Sequence, residues 1–135
     1  MLFVCVRNAG KSPMAAGLLR DLTERHTPGR LLVESAGTRA EGDLNALSVS
    51  VLAEQGVDIG GERPRQLTDQ ILRRADVVVM LGTAAEVNRI TGPRYETWEV
   101  DEPSRRGFEG LQRMRMVRDD IESRVVDLHR RLTAG

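Results

Sequence analysis

The chain has 135 residues, 20 basic and 20 acidic side chains, no net formal charge, 40% hydrophobic residues and few aromatics (two Phe, one Trp, one Tyr). That length fits one domain over residues 1–135, able to bury roughly two thirds of its unfolded surface, and the composition excludes a disordered chain and a nucleic-acid partner. No apolar run approaches the roughly 18 residues of a membrane span, and Met1–Val6 is too short for a signal peptide. A single cysteine, Cys5, rules out an internal disulfide or a cysteine-rich metal site and points to the reducing cytoplasm.

Taken in order, Leu2–Val6 is a short apolar run that predicts a buried strand. Ser12 reads as a helix N-cap with Pro13 behind it, and Ala15, Leu18, Leu19 and Leu22 follow on one helical face. Pro28-Gly29 breaks the chain before a second strand over 31–35. Leu47, Val51 and Leu52 predict a helix that stops at Gly56, and Thr68 caps a short helix through Ala75. Asp76–Leu81 is apolar on both faces, as befits a central parallel strand covered on both sides. A fourth strand is predicted over 97–100. A last helix is predicted from Glu109 to Leu132, with Leu111, Met114, Val117, Ile121, Val125, Leu128 and Leu132 inward. The alternation predicts an α/β fold: a three-layer α/β/α sandwich around a four-stranded parallel sheet. Ligands of such sheets bind beyond the carboxyl ends of the strands, where Cys5 and Asn8 follow strand one and Asp101 and Glu102 follow strand four.

Cys5-Val6-Arg7-Asn8-Ala9-Gly10-Lys11-Ser12 joins a strand to a helix N-terminus. Unpaired N–H groups and the helix dipole there make a cradle for a tetrahedral oxyanion and stabilise a thiolate. Lys11 is the only lysine among the 20 Lys and Arg residues. Ser12 can cap the helix and also donate to the cysteine sulfur.

Asn8 and Ser12, Met14-Ala15, Ser35-Ala36-Gly37-Thr38, Ala75–Val79, Trp98–Pro103 and Met116–Ile121 together carry a resemblance over essentially the whole chain. The sequence resembles the low-molecular-weight protein tyrosine phosphatases and their relatives, the thiol-dependent arsenate reductases. The resemblance implies a phosphatase-type anion-binding loop after strand 1, with Cys5 as nucleophile and Arg7, Asn8, Ala9, Gly10, Lys11 and Ser12 around the oxyanion. It also implies a general acid directly before a proline; here Glu102 precedes Pro103, with Asp101 as second choice. Either serves if burial or the bound anion raises its pKa. In relatives Asn45 lies near the loop and braces it.

Three departures from the family pattern are informative. Lys11 stands where the family has arginine, so the rigid two-pronged grip on phosphate is replaced by a point charge. Arg7 stands where relatives have glycine; it is read as solvent-facing, with a compensating guanidinium as the alternative. No second cysteine is present to resolve an adduct on Cys5, so an external thiol must do so. Single-cysteine members with a lysine-containing loop and a Met-Arg-Met-Val-Arg-Asp ending, here Met114–Asp119, transfer arsenate to mycothiol. Ser104-Arg105-Arg106 follows Pro103 where the phosphatases have aromatic residues, which favours a small inorganic oxyanion.

The favoured expectation is therefore an arsenate–mycothiol transferase, with glutathione as the other thiol and a separate redoxin downstream. Whether Cys5 or mycothiol attacks arsenic first stays open. A phosphatase of small phosphoesters is the alternative, and a non-catalytic oxyanion-binding or sensory protein the third. No bound cofactor and no metal are expected, and Ala16 stands where potassium-binding relatives have glutamate. His26 and His129 are expected to be solvated, as are Arg113, Arg115, Arg118 and Arg124. Arg105 and Arg106 are the better candidates for attracting an anion, although solvent exposure is the favoured reading for them too. Only four residues precede Cys5, so a natural start upstream of Met1 would lengthen strand one.

Overall fold

The computed structural model describes residues 1–134. Strands β1 (Leu2–Cys5), β2 (Glu34–Gly37), β3 (Val77–Leu81) and β4 (Arg94–Trp98) form one parallel sheet in the order β2-β1-β3-β4. Helices α1 (Lys11–His26), α2 (Ala46–Ala53), α3 (Asp69–Arg74) and α4 (Gly110–Thr133) cover it, and a 3-10 turn, Pro103–Arg106, follows β4. The period-two alternation of each strand sends its side chains to two cores. Phe3, Cys5, Val79, Leu81 and Trp98 pack with α1, α2 and α4. Leu2, Val4, Ala36, Val78 and Met80 pack with α3 through Ile71 and Leu72. This is the expected three-layer sandwich, and β1 and β3 are its central strands because both of their faces are apolar.

Two strands lie elsewhere than the sequence suggests. The apolar run at 31–33 does not form β2; Leu32 is 73% exposed, and pairing begins where the Glu34 N–H meets the Met1 carbonyl. That register sets Gly37 opposite Cys5. β4 begins three residues before the expected Thr97, at Arg94, because an edge strand needs only one apolar face, and Arg94-Tyr95-Glu96 hides that signal behind charge. In α4 the expected inward residues are buried except Leu111, 40% exposed in the first turn, and Leu132, only partly covered at the far end.

Residues read as a solvated face also tie elements together, Arg115 while remaining exposed. Arg115 and Arg118 of α4 both pair with Glu54 after α2, Arg118 being nearly buried. Arg124 reaches the Glu99 carbonyl and Asp120. His129 is half-buried against Thr27, with its ring 6.4 Å from that of His26. Burial and His26 hold its pKa below the ordinary histidine value. Among the described residues, no helix is long and apolar enough to cross a membrane.

Candidate active site

β1 delivers Cys5 to the carboxyl edge of the sheet, and the chain turns through 6–10 into α1. Gly10, not Ser12, occupies the N-cap position and makes no side-chain cap. Ser12 is the second helical residue, fully buried, and its hydroxyl lies 2.9 Å from Cys5 Sγ. Pro13 falls in the first turn, where its missing N–H leaves no helix bond unmade.

Asn8 organises the loop. It is 1% exposed and holds φ +55°, a left-handed conformation that asparagine tolerates better than most side chains. Its own N–H donates to Cys5 Sγ at 3.2 Å. The backbone N–H of Arg65 donates to Asn8 Oδ1 (2.8 Å), which orients the amide so that Nδ2 donates to Ser12 Oγ (2.7 Å). One Ser12 lone pair is taken by Nδ2, and toward a Cys5 thiolate, which has no proton, the hydroxyl is the donor. Cys5, the only cysteine, thus accepts from the Asn8 N–H and pairs with the Ser12 hydroxyl. Asn8→Ala removes this relay and strains the left-handed residue. Stability is expected to fall by about 2–4 kcal/mol in urea melts, and oxyanion affinity at least tenfold by calorimetry.

The segment after β2 clasps the loop from outside. N–H groups of Thr38, Arg39, Glu41 and Asn45 donate to the carbonyls of Cys5, Val6, Arg7 and Ala9. With those oxygens engaged, the loop is left to present N–H groups to an anion. Asn45 braces the Ala9 carbonyl at 2.7 Å and caps α2 by accepting from Leu47 and Ser48. Gly37 fits this closure because a Cβ there would lie 2.7 Å from the Val6 carbonyl and 2.8 Å from Asn8 N. Its N–H and carbonyl also bond Arg65 and Leu67, so β2, residue 65 and the loop form one knot. Of the remaining loop residues, Arg7 is exposed, while Ala9 and Gly10 are half-buried.

Lys11 opens α1 at the edge of a cleft of about 540 Å³, which Thr83, Val100, Asp101, Glu102 and Arg105 also line. Its Nζ is 3.7 Å from Glu102 Oε2. Burial does not raise the two acids after β4; with no anion bound, both are held below the ordinary carboxylate range. Arg113 Nε and Ser104 Oγ each donate to Glu102 Oε1 at 2.8 Å. Arg113 above all, with Ser104 and Lys11, holds Glu102 down to about 2 against the opposing effect of burial. Asp101 is lowered too, chiefly by Arg106, whose two terminal nitrogens grip both its oxygens at 2.8 Å. Both side chains are therefore carboxylates at neutral pH, because each met an arginine rather than an apolar wall. Arg105 is exposed; Arg106 is occupied by Asp101. Sequence reasoning missed Gly37 as a packing necessity, the Arg65 backbone as the orienter of Asn8, and Arg113 as the partner of Glu102. Among the described residues no cluster of three or more His, Cys, Asp or Glu is placed to hold a metal ion.

A sulfur at the end of a central strand, inside an amide-lined loop on a helix N-terminus, defines a cysteine-based oxyanion site. The chain belongs to the low molecular weight phosphotyrosine protein phosphatase family, whose model matches residues 1–135. It is 32% identical over 127 residues to a putative arsenate reductase of Halobacterium salinarum, covering 93% of this chain and 87% of that one. It is 34% identical over 119 residues to a probable low molecular weight protein-tyrosine-phosphatase, EpsP, of Ralstonia solanacearum (78% and 79% covered). Among solved structures it is similar to a thioredoxin-dependent arsenate reductase of Corynebacterium glutamicum (TM-score 0.78, 29% identity). That match covers 97% of this chain but only 60% of the longer one. It also resembles an arsenate reductase in the phosphate-binding state (TM-score 0.82, 26% identity, 98% and 97% covered).

Proposed function

We propose that the chain is a cytoplasmic, thiol-dependent arsenate reductase that transfers arsenate to a low-molecular-weight thiol, with mycothiol as the favoured thiol and glutathione the alternative. The observation that carries this reading is the lone Cys5 sulfur, hydrogen-bonded by Ser12 and Asn8 in a loop whose first helical residue is Lys11 rather than arginine. The cleft that Lys11 lines is walled by Thr83, Asp101, Glu102 and Arg105, with no aromatic ring in its lining to receive a phenyl group.

Arsenate binds the loop amides beside Lys11, and Cys5 Sγ attacks arsenic. A sulfur–arsenic bond forms as an arsenic–oxygen bond breaks, and the departing hydroxyl takes one proton and leaves as water. That proton comes from Glu102 or Asp101 where the bound anion raises its pKa, or else from the incoming thiol or solvent. The external thiol then attacks arsenic and releases Cys5, carrying arsenic away still pentavalent. A redoxin thiol attacks the sulfur of that adduct and closes a disulfide, and the electron pair of the sulfur–arsenic bond reduces arsenic to arsenite. No bound cofactor or metal enters these steps. The test is arsenite release with and without added thiol and redoxin: strict dependence on thiol is expected.

A phosphatase of small phosphoesters is the second reading, supported by the similarity to the Ralstonia protein. Turnover of p-nitrophenyl phosphate without thiol distinguishes the two, and robust activity there would sink the transferase reading. Lys11→Arg restores a fork that grips two oxygens of a flattened phosphoryl group. It is expected to raise p-nitrophenyl phosphate turnover about tenfold while leaving arsenate transfer no faster.

A further inference from the structure

Arg113 lies in the first turns of α4, half-buried, facing the loop after β4. Its Nε and the Ser104 hydroxyl both hold Glu102 Oε1, while Oε2 is turned toward Lys11 at 3.7 Å. The groups around Glu102 are thus Arg113 from α4, Ser104 from the 3-10 turn, Lys11 from α1, and the neighbouring Asp101. Arg106 already neutralises Asp101, and the Asp101 N–H is anchored to Asp120 on α4 at 2.7 Å. With Arg124 of α4 also donating to the Glu99 carbonyl, the loop is fastened to α4 at three points and touches α1 through the Lys11 ion pair. A lysine is a point charge on a flexible stem, so where its ammonium rests depends on its counter-ion.

We propose that Arg113 is a positioning residue of the oxyanion site: it fixes Glu102 as the anion that holds the Lys11 ammonium at the mouth of the Cys5 loop. Glu102 then serves as a counter-ion, held ionised by the Arg113 guanidinium before any anion binds. The inference rests on the oxyanion site of the proposed function but not on its thiol chemistry.

Binding of inorganic arsenate, measured by calorimetry with no thiol present, tests it. A carboxylate near an anion site repels the anion, so Glu102→Gln would strengthen binding if the charge acted only through space. The positioning role predicts the opposite sign, a loss of about threefold to tenfold. Arg113→Ala returns Glu102 to the ordinary glutamate range, near about 4.3, so affinity gains an inflection there and falls on the acid side. That inflection is expected to be absent from the wild type and from the Arg113→Ala/Glu102→Gln double variant. In a Lys11→Ala background, with no ammonium left to position, Glu102→Gln is expected to weaken binding no further. Arg113→Lys, which keeps the charge without the fork, gives a smaller shift of the same sign and carries the test should Arg113→Ala unfold. Tighter or unchanged binding by Glu102→Gln overturns the inference, as does an Arg113→Ala profile that superimposes on the wild type. If the wild-type chain binds no arsenate at all, the functional reading falls with it.

Discussion

Cys5→Ser is expected to abolish the proposed thiol-dependent arsenate turnover, by at least about 10³-fold, while arsenate still binds and the chain still folds. Serine replaces sulfur by oxygen at a position 9% exposed, between the Ser12 hydroxyl and the Asn8 N–H, and it satisfies the same two partners. The cradle does not depend on the sulfur: its carbonyls are held by residues 38–45, and its shape by Asn8 and Gly37. What is lost is nucleophilicity, since an alcohol without an adjacent base is a far weaker attacking group than a thiol. Arsenite formation and arsenate calorimetry on the same preparation separate the two effects. If Cys5→Ser retains full turnover, the external thiol attacks arsenic directly and Cys5 only lines the site.

Gly37→Ala is expected to cost about 2–4 kcal/mol of stability and to eliminate oxyanion binding. The new methyl would lie within 3 Å of three backbone atoms, Val6 O, Asn8 N and Arg7 C. None of these is the end of a flexible side chain, so the clash moves the loop itself. Displacing Asn8 N by a few tenths of an ångström lengthens its bond to Cys5 Sγ, and Arg65 is drawn out of place because it bonds both Gly37 and Asn8. Urea melts and arsenate calorimetry check the two halves. Gly29→Ala is the control for glycine loss without close contact, since a Cβ there meets nothing within 4 Å; only its positive φ is strained.

The layers of the fold were legible because β1 and β3 carry unbroken apolar runs and α1 and α4 carry a 3.6-residue stripe. Edge strands were not: β2 reads Glu-Ser-Ala-Gly and β4 begins Arg-Tyr-Glu, patterns that mark one covered face or close backbone approach rather than a buried strand. In the site, the loop and its sulfur were readable from residue type and spacing. The direction of the Glu102 shift was not, because it depends on Arg113, eleven residues away on another element. One arginine among many on a charged helix gives no sequence signal for the carboxylate it will meet. Ser12 shows the converse: its pairing with sulfur was foreseeable, but the helix starts one residue before it, so Gly10 takes the cap.

The central claim is that arsenic leaves this site on an external thiol. The most direct measurement is arsenate turnover with mycothiol and with glutathione side by side, each with its own redoxin. Small-molecule mass spectrometry follows the thiol–arsenic adduct, and arsenite is assayed as it is released. No arsenite is expected without thiol, the mycothiol–arsenic adduct is expected to accumulate when redoxin is withheld, and turnover with glutathione is expected to be weaker. Arsenite release that proceeds equally well with no low-molecular-weight thiol present would contradict that route.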